Sequence, residues 1–423
     1  MSTAAARKVL AGLDGARDDL EDFYRDLHQH PELSHQETET AAKVAGRLRT
    51  AGYAVTTGVG GTGVVGVLEN GDGPRVLLRA DMDALPVREA TGLDYASTVT
   101  VTDDSGESVP VMHACGHDVH VACLATAAAL LAAAKDQWSG TLVALFQPAE
   151  EVGDGARGML DDDLRKVVGP VEVAHAQHVL AIPAGSVGTR VGSVFAAANS
   201  MRVTVHGRGA HGSMPQAAID PVVLAAMIVI RLQTIVSREI APTEPAVLTV
   251  GSIRSGSKSN VIGDSAVIEL NVRTYNDATR EHVLDAIRRI VTAECAASDS
   301  PKEPGFELYD EFPPTVNDES STDLLAAAFS DFFGDDAGEL PLQSASEDFS
   351  DIPTALGIPY SYWGIGGADP DTYAAAERAG RVSSDIPVNH SPYFAPVLQP
   401  TLDVGTQALV VAALAHLGRS AGD

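Results

Sequence analysis

Short apolar runs punctuate the first half of this chain, and three of them run into acidic or histidine side chains. Gly63 to Glu69, Arg75 to Ala80, Gly140 to Gln147 and Val171 to Val179 are rich in Val, Leu and Ala and bounded by Gly and Pro. Runs of this kind read as strands buried on both faces. Helical patterns lie around and between them. Leu10, Leu13, Leu20, Phe23 and Leu27 recur at helical spacing up to His30-Pro31, Glu37 to Ala51 closes at Gly52, and Val119 to Ala134 is apolar on every side. Buried strands alternating with helices predict an α/β layer structure with a mixed, largely parallel sheet. In such sheets functional residues gather where strands end.

The texture changes near Ala197. Met201 to His206, Ala246 to Ile253, Val267 to Thr274 and Phe306 to Tyr309 read as strands. Asp220 to Ser237 and Ala278 to Cys295 read as helices, the first opened by Asp220-Pro221 as N-cap and first-turn proline. Strand, helix, strand, strand, helix, strand is the ferredoxin-like order. The expected division is a catalytic domain from 1–196 and 313–423, with an α+β domain of 197–312 inserted into it. After Pro313, Thr322 to Phe333 and Pro400 to Leu417 read as helices and Ser361 to Ile365 as a strand. Asp103 to Ser108 and Gly366 to Ser384 read as loops.

At ~150 residues per domain, 423 residues leave ample chain for two or three domains. A net charge of -28 argues against nucleic acid and against an anionic membrane surface as partners. Three cysteines, Cys115, Cys123 and Cys295, make no disulfide framework and fit a reducing compartment. Met1 to Leu20 lacks the apolar centre of a signal peptide. No apolar run reaches the ~20 residues of a spanning helix, Val119 to Ala134 coming nearest. A cytoplasmic protein is the expectation.

Four clusters join metal-capable side chains to strand ends. They are Arg79-Ala-Asp-Met-Asp-Ala-Leu-Pro86, His113-Ala-Cys-Gly-His-Asp-Val-His120, Gln147-Pro-Ala-Glu-Glu151 and His175-Ala-Gln-His178, with His390 standing near the C-terminus. A thiolate and imidazoles are good ligands for zinc and similar divalent ions, and Gly116 allows an unusual backbone between Cys115 and His117. One Cys-x-His pair alone is as well explained by a buried thiol and a helix-start histidine. Three histidines, a cysteine and an aspartate within eight residues favour a metal. Adjacent Glu150 and Glu151 cannot point the same way, so one can bind a metal while the other serves as a general base. A solvated acidic loop is the competing reading of that pair. Asp81 and Asp83 fit either carboxylates that orient a ligating imidazole or an ordinary strand-end turn.

Taken together, the motifs resemble the co-catalytic metallopeptidase family of aminoacylases, zinc carboxypeptidases and desuccinylases. The branch is that of the amidohydrolases, which includes hippurate hydrolases and plant auxin–amino acid conjugate hydrolases. The resemblance rests on Leu27-His-Gln-His-Pro-Glu-Leu33, the four clusters above, Gly207-Arg-Gly-Ala-His211, Asn260-Val-Ile262, Ser346-Glu-Asp-Phe349 and His390-Ser-Pro392, which follow the family order over nearly the whole chain. It implies Cys115, His117, Glu151, His178 and His390 as ligands of two divalent ions, manganese or zinc. It implies Glu150 as general base, with Asp83, and Asp81 beside it, supporting the site. The inserted domain would be a lid and the interface of a homodimer. Its His211 and Asn260 would stabilise the tetrahedral oxyanion or hold the substrate, within one subunit or across the dimer, with Arg273 a candidate for the substrate carboxylate. His28, His30, His113 and His120 are expected to pack, cap or support.

The implied activity is cleavage of N-acyl amino acids, such as N-acetyl or N-benzoyl conjugates, to an acid and an amino acid. A dipeptidase or carboxypeptidase of the same family is the alternative. A catalytically inactive conjugate-binding relative ranks lower, because Glu150 and every implied ligand are present. Val179-Leu180-Ala181 replaces an aromatic-then-proline stretch usual after His178, Gln216 and Gly263 replace a common His and Pro, and Ser344-Ala-Ser346 stands where a Gly usually precedes Glu347. None is a proposed ligand or the base, so these departures bear on specificity.

Overall fold

A computed structural model describes residues 3–102 and 106–418 of the chain. Two compact units divide it. Within the described residues, the first draws on Met1–Gly192, Asn317–Pro341 and Asp348–Asp423, and the second on Ser193–Val316 and Leu342–Glu347.

The first unit is built on an eight-stranded mixed sheet. Its spatial order is Ala54–Val59, Gly63–Asn70, Gly140–Gln147, Arg75–Asp81, Val173–Pro183, Tyr360–Ala368, Val187–Thr189 and Ala337–Glu339. The third to sixth of these strands run parallel to one another. Gly140–Gln147 is buried at every position, as its unbroken apolar run predicts for a strand covered on both faces. The helix His117–Ala133 is apolar all round, and every residue but Ala129, Ala132 and Ala133 is buried. It packs against Leu13–Gln29 and Leu398–Leu417 in one continuous apolar core. Only Leu13, Leu20, Phe23 and Leu27 of the predicted N-terminal stripe are fully buried, because a short 3-10 turn at Leu10–Gly12 breaks the helix there.

The second unit has a four-stranded antiparallel sheet in the order Ala246–Ser255, Ser265–Thr274, Ala197–His206, Gly305–Phe312. The helices Pro221–Thr234 and Asp277–Ala297 bury Leu224, Ile228, Leu232, Val283, Ile287 and Val291 against it. This is the ferredoxin-like α+β arrangement. Asp220 caps its helix as its sequence signals, accepting the Val222 N–H at 2.9 Å.

One loop expectation needs correction, and a second only at its last residue. Gly366 to Ser384 holds the last residues of the strand Tyr360–Ala368 and the helices Pro370–Arg378 and Val382–Asp385. The first helix opens on Asp369-Pro370, the same cap and first-turn proline that marks Asp220-Pro221, and Asp369 accepts the Thr372 N–H at 2.9 Å. In the other stretch, 103–105 lie outside the described residues, and Ser108–Pro110 pairs with Thr100–Thr102. The nearest approach to a spanning helix also differs. By length and composition it is Pro221–Glu239, not Val119 to Ala134.

The parallel strands of the first unit are tied beneath their carboxyl ends by a buried charge network. Arg79 is buried and donates to Asp81 at 2.7 Å and to the Gln147 side chain at 2.9 Å. Gln147 donates in turn to Asp348 at 2.6 Å, and Asp348 also accepts the Ala156 N–H at 3.0 Å. Removing one partner of such a network leaves uncompensated buried charge. Arg79→Met is therefore expected to lower unfolding stability by about 3–5 kcal/mol, read by denaturant titration.

Candidate metal centre

Every metal-ligating side chain implied by the sequence lies in the first unit. Cys115 and His117 flank Gly116, which caps the helix His117–Ala133 in the left-handed region at φ +85°. A Cβ at Gly116 would collide with the Val179 side chain, so the backbone passes close to the strand that carries His178. His178 lies within the strand Val173–Pro183 and not at its end. Its Nδ1–H donates to the Val179 carbonyl at 2.8 Å, which leaves Nε2 3.5 Å from the Cys115 Sγ. His390 has φ +71°, is anchored by its N–H on the Ala114 carbonyl at 2.8 Å, and brings Nε2 to 3.4 Å from Glu151 Oε2.

Glu150 and Glu151 sit on a turn just past Gly140–Gln147. Asp83 takes both of their backbone N–H groups, Glu150 on Oδ1 at 3.1 Å and Glu151 on Oδ2 at 3.0 Å. The same carboxylate accepts the Ser34 hydroxyl at 2.7 Å and faces His117 Nδ1 at 3.3 Å. On the far side of the ring, His117 Nε2 stands 3.8 Å from both Glu150 Oε2 and Glu151 Oε1.

Those separations are too long for hydrogen bonds. His117 Nε2 and Glu151 Oε1 are buried without a hydrogen-bonding partner. Ligand atoms fall into overlapping groups, each within 4.8 Å: Cys115, His117 and His178; Cys115, Glu151 and His390; His117, Glu150 and Glu151. Imidazole, thiolate and carboxylate donors at such spacing suit divalent ions. The electrostatics agree. Burial, then the charges of Glu151, Glu150 and Asp81, push the Cys115 thiol well above its ordinary range. Burial alone would keep His117 neutral, but Asp81, Asp83 and Glu151 raise it to about 10. Carboxylates thus surround a buried thiol and imidazole, a setting that favours a bound cation.

The other predicted residues divide. Asp81 approaches His117 from the opposite side to Asp83, its Oδ2 3.6 Å from Nε2, while its hydrogen bonds go elsewhere. It accepts Nδ1–H of His120 at 2.5 Å and the Arg79 guanidinium, and His120 Nε2 accepts the Val179 N–H at 2.9 Å. His120 therefore braces the strand of His178. His113 is buried with neither ring nitrogen hydrogen-bonded, and burial lowers its pKa to about 4. Cys123 is a core residue donating to the Leu402 carbonyl at 3.4 Å. His211 and Asn260 lie in the second unit, His211 on the strand Ala210–His211 and Asn260 in the turn just before its partner Val261–Ile262, where the Gly212 N–H reaches the Asn260 carbonyl at 2.8 Å. His211 is exposed, with Nδ1 2.7 Å from the Ser213 hydroxyl. Arg273, in the same unit, binds Ser346 at 2.5 Å and Asn271 at 3.1 Å.

Asn389 went unrecognised in the sequence. Its Nδ2 donates to the carbonyls of Cys115 and Val179, both at 3.1 Å, and so ties the segments beside three candidate ligands. Its place next to His390 was the available signal. His28 is more than a packing residue. It bridges Asp118 at 2.6 Å and Glu89 at 3.1 Å, wholly buried.

The comparisons with known proteins agree with this geometry. The model of Peptidase family M20/M25/M40 matches residues 77–386. An N-acetyl-L-cysteine deacetylase of Bacillus subtilis is 39% identical over 72% of this chain and 70% of its own length. A thermostable carboxypeptidase of Saccharolobus solfataricus is 39% identical over 71% of this chain and 74% of its own. Among solved structures, a Bacillus subtilis protein described as a dinuclear metal binding peptidase from the M20 family superposes with a TM-score of 0.76 at 27% identity, covering 95% of this chain and 98% of that one. The fold and the donor set define a metallohydrolase of the dinuclear kind. The chain belongs to peptidase family M20/M25/M40, and its first unit carries a site for two divalent ions.

The buried imidazolium of His28 gives stability a pH dependence. Burial works against its charge, but the hydrogen bonds to Asp118 and Glu89 outweigh that and raise its pKa to about 9. An unfolded histidine titrates near ~6.5, so this stabilisation is full below about 6.5 and lost as pH rises through about 9. The stability difference between the native chain and His28→Gln, from urea titrations, is expected to shrink steadily across that window.

Proposed function

We propose that this chain is a metal-dependent amidohydrolase that splits N-acyl amino acids into an acid and an amino acid. The observation that carries the reading is the Glu150–Glu151 turn, whose two carboxylates stand equally far from the unpartnered His117 Nε2. In this reading Cys115, His117, Glu151, His178 and His390 hold two ions. Zinc is favoured by the thiolate and imidazole donors and manganese by the carboxylate. Bound ions would lower the pKa of a water molecule and polarise the amide carbonyl.

The chain's own residues supply the rest. Glu150 takes the proton of the attacking water and returns it to the leaving amine nitrogen, so one carboxylate is base and then acid. Asp83 orients the His117 ring through Nδ1 and holds the Glu150 amide. His211 and Asn260 are assigned to the oxyanion or the substrate. Arg273 is assigned to the substrate carboxylate. The inserted unit serves as lid and dimer interface.

A homodimer is supported by the outer face of the helix Pro221–Thr234. Val222, Val223, Met227 and Ile230 are exposed there, and Val247 and Ile253 are exposed on the edge strand Ala246–Ser255. An apolar surface beside an unpaired strand edge favours a protein partner. Ile230→Glu is expected to shift the chain from dimer to monomer in sedimentation. The cytoplasm is the proposed compartment, and three free cysteines agree with a reducing one.

The similarity to a thermostable carboxypeptidase favours a second reading, in which peptides are cleaved from the carboxyl end. One panel separates the two. Zinc- and manganese-loaded protein is assayed on N-acetyl, N-benzoyl and indole-acetyl amino acids and on peptides. Turnover of the acyl amino acids with little on peptides is expected, and the reverse selects the carboxypeptidase. Glu150→Gln is expected to lose roughly 10²–10⁴-fold in kcat while still binding two ions per chain. Undiminished turnover by that variant would remove Glu150 from the mechanism.

A further inference from the structure

The turn that carries Glu150 depends on a carboxylate outside the mechanism above. Ala149 is fully buried and has φ +51°, in the left-handed region that residues with a Cβ avoid. Its N–H donates at 2.8 Å to Oε1 of Glu37, a residue with no exposed surface. The same oxygen accepts the His35 N–H at 3.0 Å, and Oε2 accepts the Thr62 hydroxyl at 2.6 Å. The Ala149 carbonyl receives the Gly155 N–H at 3.2 Å. The next two amides of the turn, those of Glu150 and Glu151, go to Asp83. Three successive N–H groups therefore end on two buried carboxylates.

These two carboxylates do different jobs. Asp83 also faces His117, so its loss disturbs a candidate metal ligand directly. The hydrogen bonds of Glu37 go to Ala149, His35 and Thr62 and to none of the five candidate ligands. Without the Glu37 acceptor, the buried Ala149 N–H loses its partner, and the backbone can leave the left-handed region by rotating about the Ala149 N–Cα bond. That rotation swings the Glu150 side chain.

We propose that Glu37 is a positioning residue for the general base: by accepting the Ala149 N–H it locks the left-handed turn that aims Glu150. The proposal rests on Glu150 being the base. It predicts that what matters at position 37 is an acceptor oxygen at this reach, not a negative charge.

The test is a set of variants at positions 37 and 149, assayed beside Glu150→Gln on the same acyl amino acid with bound metal measured in each sample. Glu37→Ala is expected to lower kcat by about 10- to 100-fold, with KM within about twofold and two ions still bound per chain. Glu37→Gln keeps an acceptor oxygen and is expected to stay within about threefold of the native kcat, whereas Glu37→Asp keeps the charge, loses the reach and should fall at least about tenfold. Ala149→Gly permits the positive φ without support, so the loss caused by Glu37→Ala should shrink in that background.

A merely structural role would not give that rescue. A native kcat in Glu37→Asp overturns the proposal, and so does an equal loss in Glu37→Gln and Glu37→Ala. So does a loss unchanged by Ala149→Gly, or one that appears in metal content instead of kcat. If Glu37→Ala does not fold, the Asp and Gln variants decide alone. An active Glu150→Gln is a separate result, which removes the base itself.

Discussion

The centre of this molecule is governed by the cost of burying carboxylates. Asp81, Asp83, Asp348, Glu37 and Glu150 are all inaccessible or nearly so, gathered about the carboxyl ends of parallel strands. Isolated, each would be far too costly to retain in ionised form. The fold offsets them by different means. Arg79 serves Asp81 and Asp348, backbone amides serve Asp83 and Glu37, and His120 and His117 lie against Asp81 and Asp83. His117 Nε2 and Glu151 Oε1 are left buried without a hydrogen-bonding partner, and a cation between them would satisfy both.

The same arrangement explains how loops give a precise site. Cys115, Glu151 and His390 all stand outside regular strands, where the chain is ordinarily least constrained. Here the positive-φ positions Gly116, Ala149 and His390 are each enclosed or hydrogen-bonded to another segment. Asn389 joins the Cys115 turn to the Val179 strand, and Asp83 joins the strand Arg75–Asp81 to the glutamate turn. Rigidity at this site comes from side chains that accept or donate to backbone groups far along the chain.

Much of the fold was legible because its signals are local. Continuous apolar runs marked Gly140–Gln147 and Arg75–Asp81, and helical spacing marked Leu13–Gln29 and Glu319–Phe333. The strand Ala54–Val59 went unread because only Val59 of its six residues is buried, leaving no apolar run. The helix Pro370–Arg378 was taken for loop because its Ala- and charge-rich surface face lacks a strong stripe, although its Asp-Pro cap was present. Among the candidate site residues, type and spacing by themselves favoured a metal only in the cluster His113 to His120, whereas Glu150, Glu151, His178 and His390 drew their roles from the family resemblance. Glu37 and Asn389 had neither signal, since an ordinary Glu beside a helix start and an Asn beside a His carry no pattern.

The sequence by itself determined the kinds of donor available, their order along the chain and the strands and helices that carry them. Residue chemistry and periodicity are properties of neighbouring positions. Only the tertiary structure decided which donors meet, and how the carboxylates divide their work. Arg79 and Asp348 are 269 residues apart, and Glu37 and Ala149 are 112 apart. Contacts of that range depend on strand order and on the direction of single N–H groups, and neither leaves a trace in the local spacing of side chains.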